Sequence, residues 1–159
     1  MAAPDTGNSA TVAFATSGFS VDITRIGSFE MDLPVLNSSH LLTSINESYE
    51  MGDLVSLDPI EMDYWFDPQF GTSSKEPPIA TIKAAKQSTE TLTITWPVQS
   101  GDATGLILTG TGFMNHFTAP ELLNNTLQSG SFSIQFSGGS SGPTWTDPTD
   151  GSTTTAAPG

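Results

Sequence analysis

A chain of 159 residues with 36% hydrophobic residues is long enough for one domain with a real core, and its 15 glycines and 11 prolines favour turns over long helices. Seventeen acidic side chains against four basic ones give a formal net charge of −13, which repels phosphate and anionic lipid and so argues against adhesive nucleic-acid binding. The absence of cysteine excludes a disulfide framework and a thiolate metal site, and no apolar run approaches the roughly 18 residues of a membrane span.

Residues 1–10 read as a flexible arm. MAAPDTGNSATVAF lacks a basic start followed by an apolar run, so it is not expected to be a signal peptide. A soluble chain made inside the cell is expected. TVAFA (11–15) is a strand candidate broken at Ser17-Gly18. From Phe19 to Ile26 the pattern has period two, with Phe19, Val21 and Ile23 on one side and Ser20, Asp22 and Thr24 on the other. Gly27 marks a turn. Glu30 to Leu36 alternates again, Met31 and Leu33 opposing Glu30 and Asp32, and Pro34 argues for an edge or a bulge because it lacks a ladder donor.

The stretch from Ser28 to Asp67 stands out. It contains nine acidic residues, one histidine and no Lys or Arg. Two extended runs, 30–36 and 54–67, hold a long polar loop, 37–53, in a design suited to contact rather than chemistry. In the second run Ile60, Met62, Tyr64 and Phe66 share one face, opposite Pro59, Glu61, Asp63 and Trp65.

After a turn-rich connection, 79–87 could form one short helix or remain loop. Thr89 to Trp96 is a strand with Leu92, Ile94 and Trp96 inward and Thr91, Thr93 and Thr95 outward. Gly105 to Phe117 is a strand whose Gly110 and Gly112 suggest a bulge or close backbone approach. Leu127 to Ser137 is another, with Phe132, Ile134 and Phe136 facing the core. Residues 139–159 form a low-complexity tail, disordered unless docked, with Trp145 as its anchor. The body is therefore 11–138, with about seven strands by this count. The expected class is all-β, or mainly β with at most one short helix, built as an antiparallel sandwich or partial barrel.

Most chemical constellations fail on their physics. Asp5-Thr6-Gly7 matches an aspartic-protease triplet but occurs once, in a flexible arm without apolar flanks. His40 and His116 lack cysteine support for a zinc site. Asp58, Glu61, Asp63 and Asp67 invite calcium, yet a strand splays Asp58 from Glu61 and Asp63, leaving a solvated acidic face. The acceptor patterns at Asn37, Asn46 and Asn124 are read as chance. Neither an enzyme nor a cofactor or metal site is expected.

The order of landmarks resembles the major tail tube protein family of long-tailed double-stranded DNA bacteriophages, which includes the lambda major tail protein. These are the TSGF turn at 16–19, LPVLNSSH (33–40), YEMGDL (49–54) leading into 53–67, Pro77-Pro78-Ile79, TETLTITWP (89–97), GTGFMNHF (110–117), and 130–142 followed by Pro143-Thr-Trp. The resemblance runs from about 11 to 145. It implies a virion tail protein that closes into hexameric rings with a continuous luminal β-barrel, the rings stacking into a conduit for genome ejection. Its partners would be copies of itself, the tape measure, tail tip and terminator, and double-stranded DNA that passes without specific binding. No membrane association is implied. Glu30, Asp32, Glu61 and Asp63 become candidates for the acidic lumen wall, with Asp22 and Asp58 as alternates. Leu41, Leu42, Ile45, Tyr49 and Met51 become candidates for a ring-stacking loop. Competing readings are a carbohydrate-binding or adhesion sandwich using Trp65, Trp96 or Trp145 as a stacking platform, and a tail terminator or completion protein of related fold.

Overall fold

The computed structural model of the chain describes residues 10–19, 21–39, 49–51, 56–65, 83, 85, 88–98, 102, 104–119, 124–125, 128–137 and 142–155. Among these lie β1 (Thr11–Phe14), β2 (Asp22–Ile26), β3 (Met31–Asp32), β4 (Val35–Asn37), β5 (Tyr49–Met51), β6 (Ser56–Leu57), β7 (Ile60–Trp65), β8 (Glu90–Thr95), β9 (Ile107–Thr118), β10 (Ser129–Phe136), β11 (Thr144–Thr146) and β12 (Thr153–Thr155). Lys83 and Ala85 are helical, and Ala85 is fully buried in the core. The all-β expectation therefore holds, with more and shorter strands than the sequence suggested.

One eight-stranded antiparallel sheet runs β1-β8-β9-β10-β7-β2, and the β11–β12 hairpin joins it through β9. Period-two burial builds it. Ile60, Met62 and Tyr64 of β7, Leu92 and Ile94 of β8, and Phe132, Ile134 and Phe136 of β10 turn inward, where Phe14, Phe19, Leu108 and Met114 meet them. The aromatic centre is tight: Phe19 lies edge-on to Phe14 at 5.0 Å and to Phe132 at 5.2 Å, while Tyr64 stacks on Phe117 at 5.7 Å. Phe19, Val21 and Ile23 reach the same core, as their alternation implied.

The long β9 is the spine. Its first half, 107–112, pairs with β8 on one edge, and β11 takes 107–109 on the other edge before β10 takes over at 112–118. A register shift between Ser133 and Ile134 lets β9 and β10 stay paired across Asn115. The expected bulge thus falls beyond the two glycines, which serve close approach. A side chain at Gly112 would stand 2.5 Å from the Gln135 carbonyl oxygen and 2.7 Å from Leu92.

Two details differ from the sequence reading. Gly27 does not turn the chain: its N–H donates to the Glu61 carbonyl at 2.6 Å and continues the β2–β7 ladder. Residues 142–155 of the supposed tail dock as a hairpin. Trp145 is indeed the anchor, lying 5.3 Å from Trp96 and 6.0 Å from Phe29. Threonine, β-branched and uncharged, suits a half-buried pleated surface despite its low-complexity context.

Candidate functional site: a ribbon and an acidic sheet face

The β2–β7 ladder continues outward as a two-stranded ribbon. Asp22 pairs with Trp65, Ile26 with Met62, Met31 with Leu57, and Val35 with Met51, ending at Asn37 opposite Tyr49. The Asp58 N–H donates to the Glu30 carbonyl at 3.2 Å and bridges the gap between β2–β7 and β3–β6. Pro34 sits where β3 gives way to β4, as a residue without a ladder donor should.

The root of the ribbon is fastened to the body. Gln135 Nε2 donates to the Leu57 carbonyl at 2.7 Å, and Phe29 packs edge-on against Phe136 at 6.0 Å. Beyond the root, every described side chain from Met31 to Asn37 is exposed. Val35 is 68%, Tyr49 58% and Leu36 56% exposed. Alternation opposes Met31 and Leu33 to Glu30 and Asp32 without saying whether either face is covered. No second layer covers either face among the described residues. Of the loop candidates, Tyr49 is an exposed ribbon residue and Met51, on β5, pairs with Val35 of β4, whereas Leu41, Leu42 and Ile45 lie outside the described residues, as does His40.

The outer face of β7 brings Glu61, Asp63 and Trp65 into one row. Their cross-strand neighbours are Ser133, Ser131 and Ser129 on β10. On β2, Arg25 opposes Asp63 and Asp22 opposes Trp65. Arg25 forks onto Asp63, Nε to Oδ2 and Nη2 to Oδ1 at 3.3 Å. The hydrogen bond to Asp63, and then its charge, raise the Arg25 pKa above its usual value. The four lumen candidates thus differ. Glu61 is exposed on the sheet, Asp63 is ion-paired, and Glu30 and Asp32 are exposed at the ribbon, where Glu30 accepts from the Ser28 hydroxyl at 2.8 Å. Arg25, Gly27, Ser28, Glu30, Asp58, Pro59 and Glu61 line a shallow open cleft at the ribbon's root. Among the described residues no group of three or more His, Asp or Glu could hold a metal ion. His116 is exposed on β9, sharing a 2.8 Å hydrogen bond with the Thr118 hydroxyl. Of the three tryptophans considered as a platform, Trp96 and Trp145 pack on each other, and Trp65 is 51% exposed.

The other half of the same sheet is chemically different. Thr11, Thr95, Ile107, Thr146 and Thr153 align in one cross-strand row, and Ala13, Thr93, Thr109, Thr144 and Thr155 in the next. The one acid in these strands, Glu90, points the other way and is buried, its Oε2 accepting from the Thr16 and Ser17 N–H groups at 2.6 and 2.8 Å. Sequence reading missed that role, although Glu90 is in phase with Leu92 and Ile94.

Several edges lack a strand partner among the described residues. In the main sheet these include β1 beyond β8, β12 beyond β11, β2 beyond β7, and residues 113–118 of β9 on the side where β8 stops at Glu90. A bare edge invites another chain.

No family model and no curated protein matches the sequence. Solved structures do. A chain of the anti-feeding prophage baseplate, determined by cryo-EM with six-fold symmetry, aligns with a TM-score of 0.63 at 11% identity, covering 86% of this chain and 94% of that one. An Hcp protein aligns at 0.53 and 9% identity, over 91% and 94% of the two chains. A type six secretion system protein aligns at 0.50 and 11%, over 91% and 90%. At such identity the likeness shows a shared fold, that of components of baseplate and secretion assemblies.

Proposed function

We propose that the chain is a structural subunit of a phage-type tail tube. It closes into rings of six, the rings stack, and the bore conducts double-stranded DNA during genome ejection. The observation that carries this reading is the ribbon, whose apolar side chains stand in solvent on a chain with a charge of −13. An exposed apolar patch on a soluble subunit marks a contact surface. The likeness to a six-fold symmetrised baseplate chain supports the ring.

The free edges supply a seam. Between them, the segment β9(113–118)-β10-β7-β2 is a four-stranded unit with an unpartnered edge on each side. Joining β2 of one copy to the β9 half-edge of the next is a head-to-tail contact, and such contacts close into rings. The outer face of this unit then becomes the bore, with Glu61, Asp63, Asp22 and the β10 residues Ser129 and Ser131 on it, while Ser133 is buried. An acidic wall repels phosphate over roughly 8 Å at physiological salt, so DNA slides without sticking. Glu30, Asp32 and Asp58 extend that character towards the ribbon.

In this reading the ribbon and the loop 37–53 carry ring-to-ring contact. The partners are copies of the chain together with the tape measure, tail tip and terminator of a virion tail. Negative-stain microscopy of concentrated protein, with and without tail tips as seeds, is expected to show rings or tubes. Deleting 39–49 is expected to abolish stacking. A protein that stays monomeric under all these conditions overturns the proposal, and copy number per virion separates a tube subunit, present in many rings, from a terminator present in one.

A further inference from the structure

The β2–β7 ladder and its extension have two ends, and both expose apolar side chains. At one end stand Leu33, Val35, Leu36 and Tyr49 of the ribbon, and at the other stands Trp65, flanked in register by Ser129 and Asp22. At about 3.3 Å per residue, the run from Asp22, opposite Trp65, to Asn37, opposite Tyr49, spans at most roughly 50 Å along the strand direction. An apolar projection at one end and an apolar surface at the other are the two halves of a head-to-tail contact, which repeats from copy to copy. Apolar contact, not charge, carries this pairing: the ribbon is acidic at Glu30 and Asp32, and beside Trp65 stand Asp22 and an Asp63 carboxylate already met by Arg25, one of four basic residues in the chain.

We propose that Trp65 is the seat on which the ribbon of a second copy, in the adjacent ring, rests through Val35, Leu36 and Tyr49. This rests on the tube reading above. Tryptophan is among the residue types enriched at such anchors.

The absence of native cysteine makes a direct test possible. Trp65→Cys protein is mixed with Val35→Cys or Leu36→Cys protein, assembled, and oxidised with copper phenanthroline. Disulfide-linked heterodimers are expected on non-reducing gels from assembled material but not from dilute, unassembled protein. In parallel, Trp65→Ala is expected to raise the concentration needed for tube growth about thirty-fold, the loss typical of an anchor residue. Its thermal melting should be unchanged, because the indole is exposed. Normal tube growth by Trp65→Ala, or tubes that yield no 65–35 or 65–36 cross-link, overturns the seat while leaving the tube reading standing. If Trp65→Ala melts early, the cross-links alone decide. Wild-type protein that forms neither rings nor tubes removes the tube reading and this inference together.

Discussion

The two halves of the sheet bury the same kind of core and show different chemistry to the outside. On the β1, β8, β11 and β12 side, the outer rows are almost entirely threonine. On the β7–β2 side they carry Glu61, Asp63, Trp65, Arg25 and Asp22, and 10 of the 17 acids of the chain fall between Asp22 and Asp67. Inward alternation is equally regular in β7 and β8. Folding therefore does not require the acids, and like charges along one ladder weaken it slightly. Their concentration on one face and its ribbon is therefore not explained by the needs of the fold. The threonine side shows what the fold looks like without it.

The comparison can be broken most sharply at the core the halves share. Phe132 touches Phe14, Phe19 and Tyr64, so Phe132→Ala should cost about 3–5 kcal/mol in urea denaturation, with both halves lost in one transition. Glu90 supports the threonine side alone. Glu90→Ala leaves two N–H groups without their acceptor and should cost about 2 kcal/mol, with Glu90→Gln costing less because it keeps an acceptor oxygen. Outer-face substitutions should separate stability from function. Thr93→Val with Thr109→Val is expected to stay within about 0.5 kcal/mol of wild type and to leave assembly intact. The triple variant Glu30→Gln, Asp32→Asn, Glu61→Gln should also fold normally, and on the tube reading its tubes should co-sediment more double-stranded DNA than wild-type tubes at low salt. The difference should shrink towards 0.15 M salt, where screening weakens the wild-type wall's repulsion as well.

The smallest effect belongs to the β11–β12 turn. Hydrogen bonds from the Ser152 hydroxyl and then from its N–H hold the Asp150 carboxyl below the usual carboxylate range. A depressed folded value contributes stability above the unfolded pKa of about 3.9 and loses it as pH falls through the lower folded value. Acidification below about pH 4 should therefore loosen this turn, and Asp150→Ala should remove the pH dependence. Hydrogen exchange at Thr153 and Thr154 is the measurement.

Much of the fold was legible from alternation. Phe132, Ile134 and Phe136, and Leu92 and Ile94, declared their faces by period two, and Pro34 declared a break. The ribbon was harder. Alternation states which side chains share a face but not whether anything covers it: Met31 and Leu33 oppose Glu30 and Asp32, and all four are exposed. The acids that define the candidate bore were visible as composition, whereas the ion pair of Asp63 with Arg25 depends on a β2–β7 register that no local pattern fixes. The C-terminal hairpin hid behind its composition, although TWT and TTT flanking DPTDG carry a turn signal.

The Glu90 clasp has a consequence for the order of events during synthesis. It joins Thr16 to a residue 74 positions later, and β1 has no other strand to pair with among the described residues. The first of the described strands to leave the ribosome is therefore among the last to find its place. Until β8 emerges, Phe14 and Phe19 wait uncovered, and loop closure over that distance is slow. Refolding followed by pulse-labelled exchange should show Val12 and Ala13 protected later than the β9–β10 amides. A newly made chain thus completes one sheet margin last, and on the tube reading that margin sets when it is ready to join its neighbours.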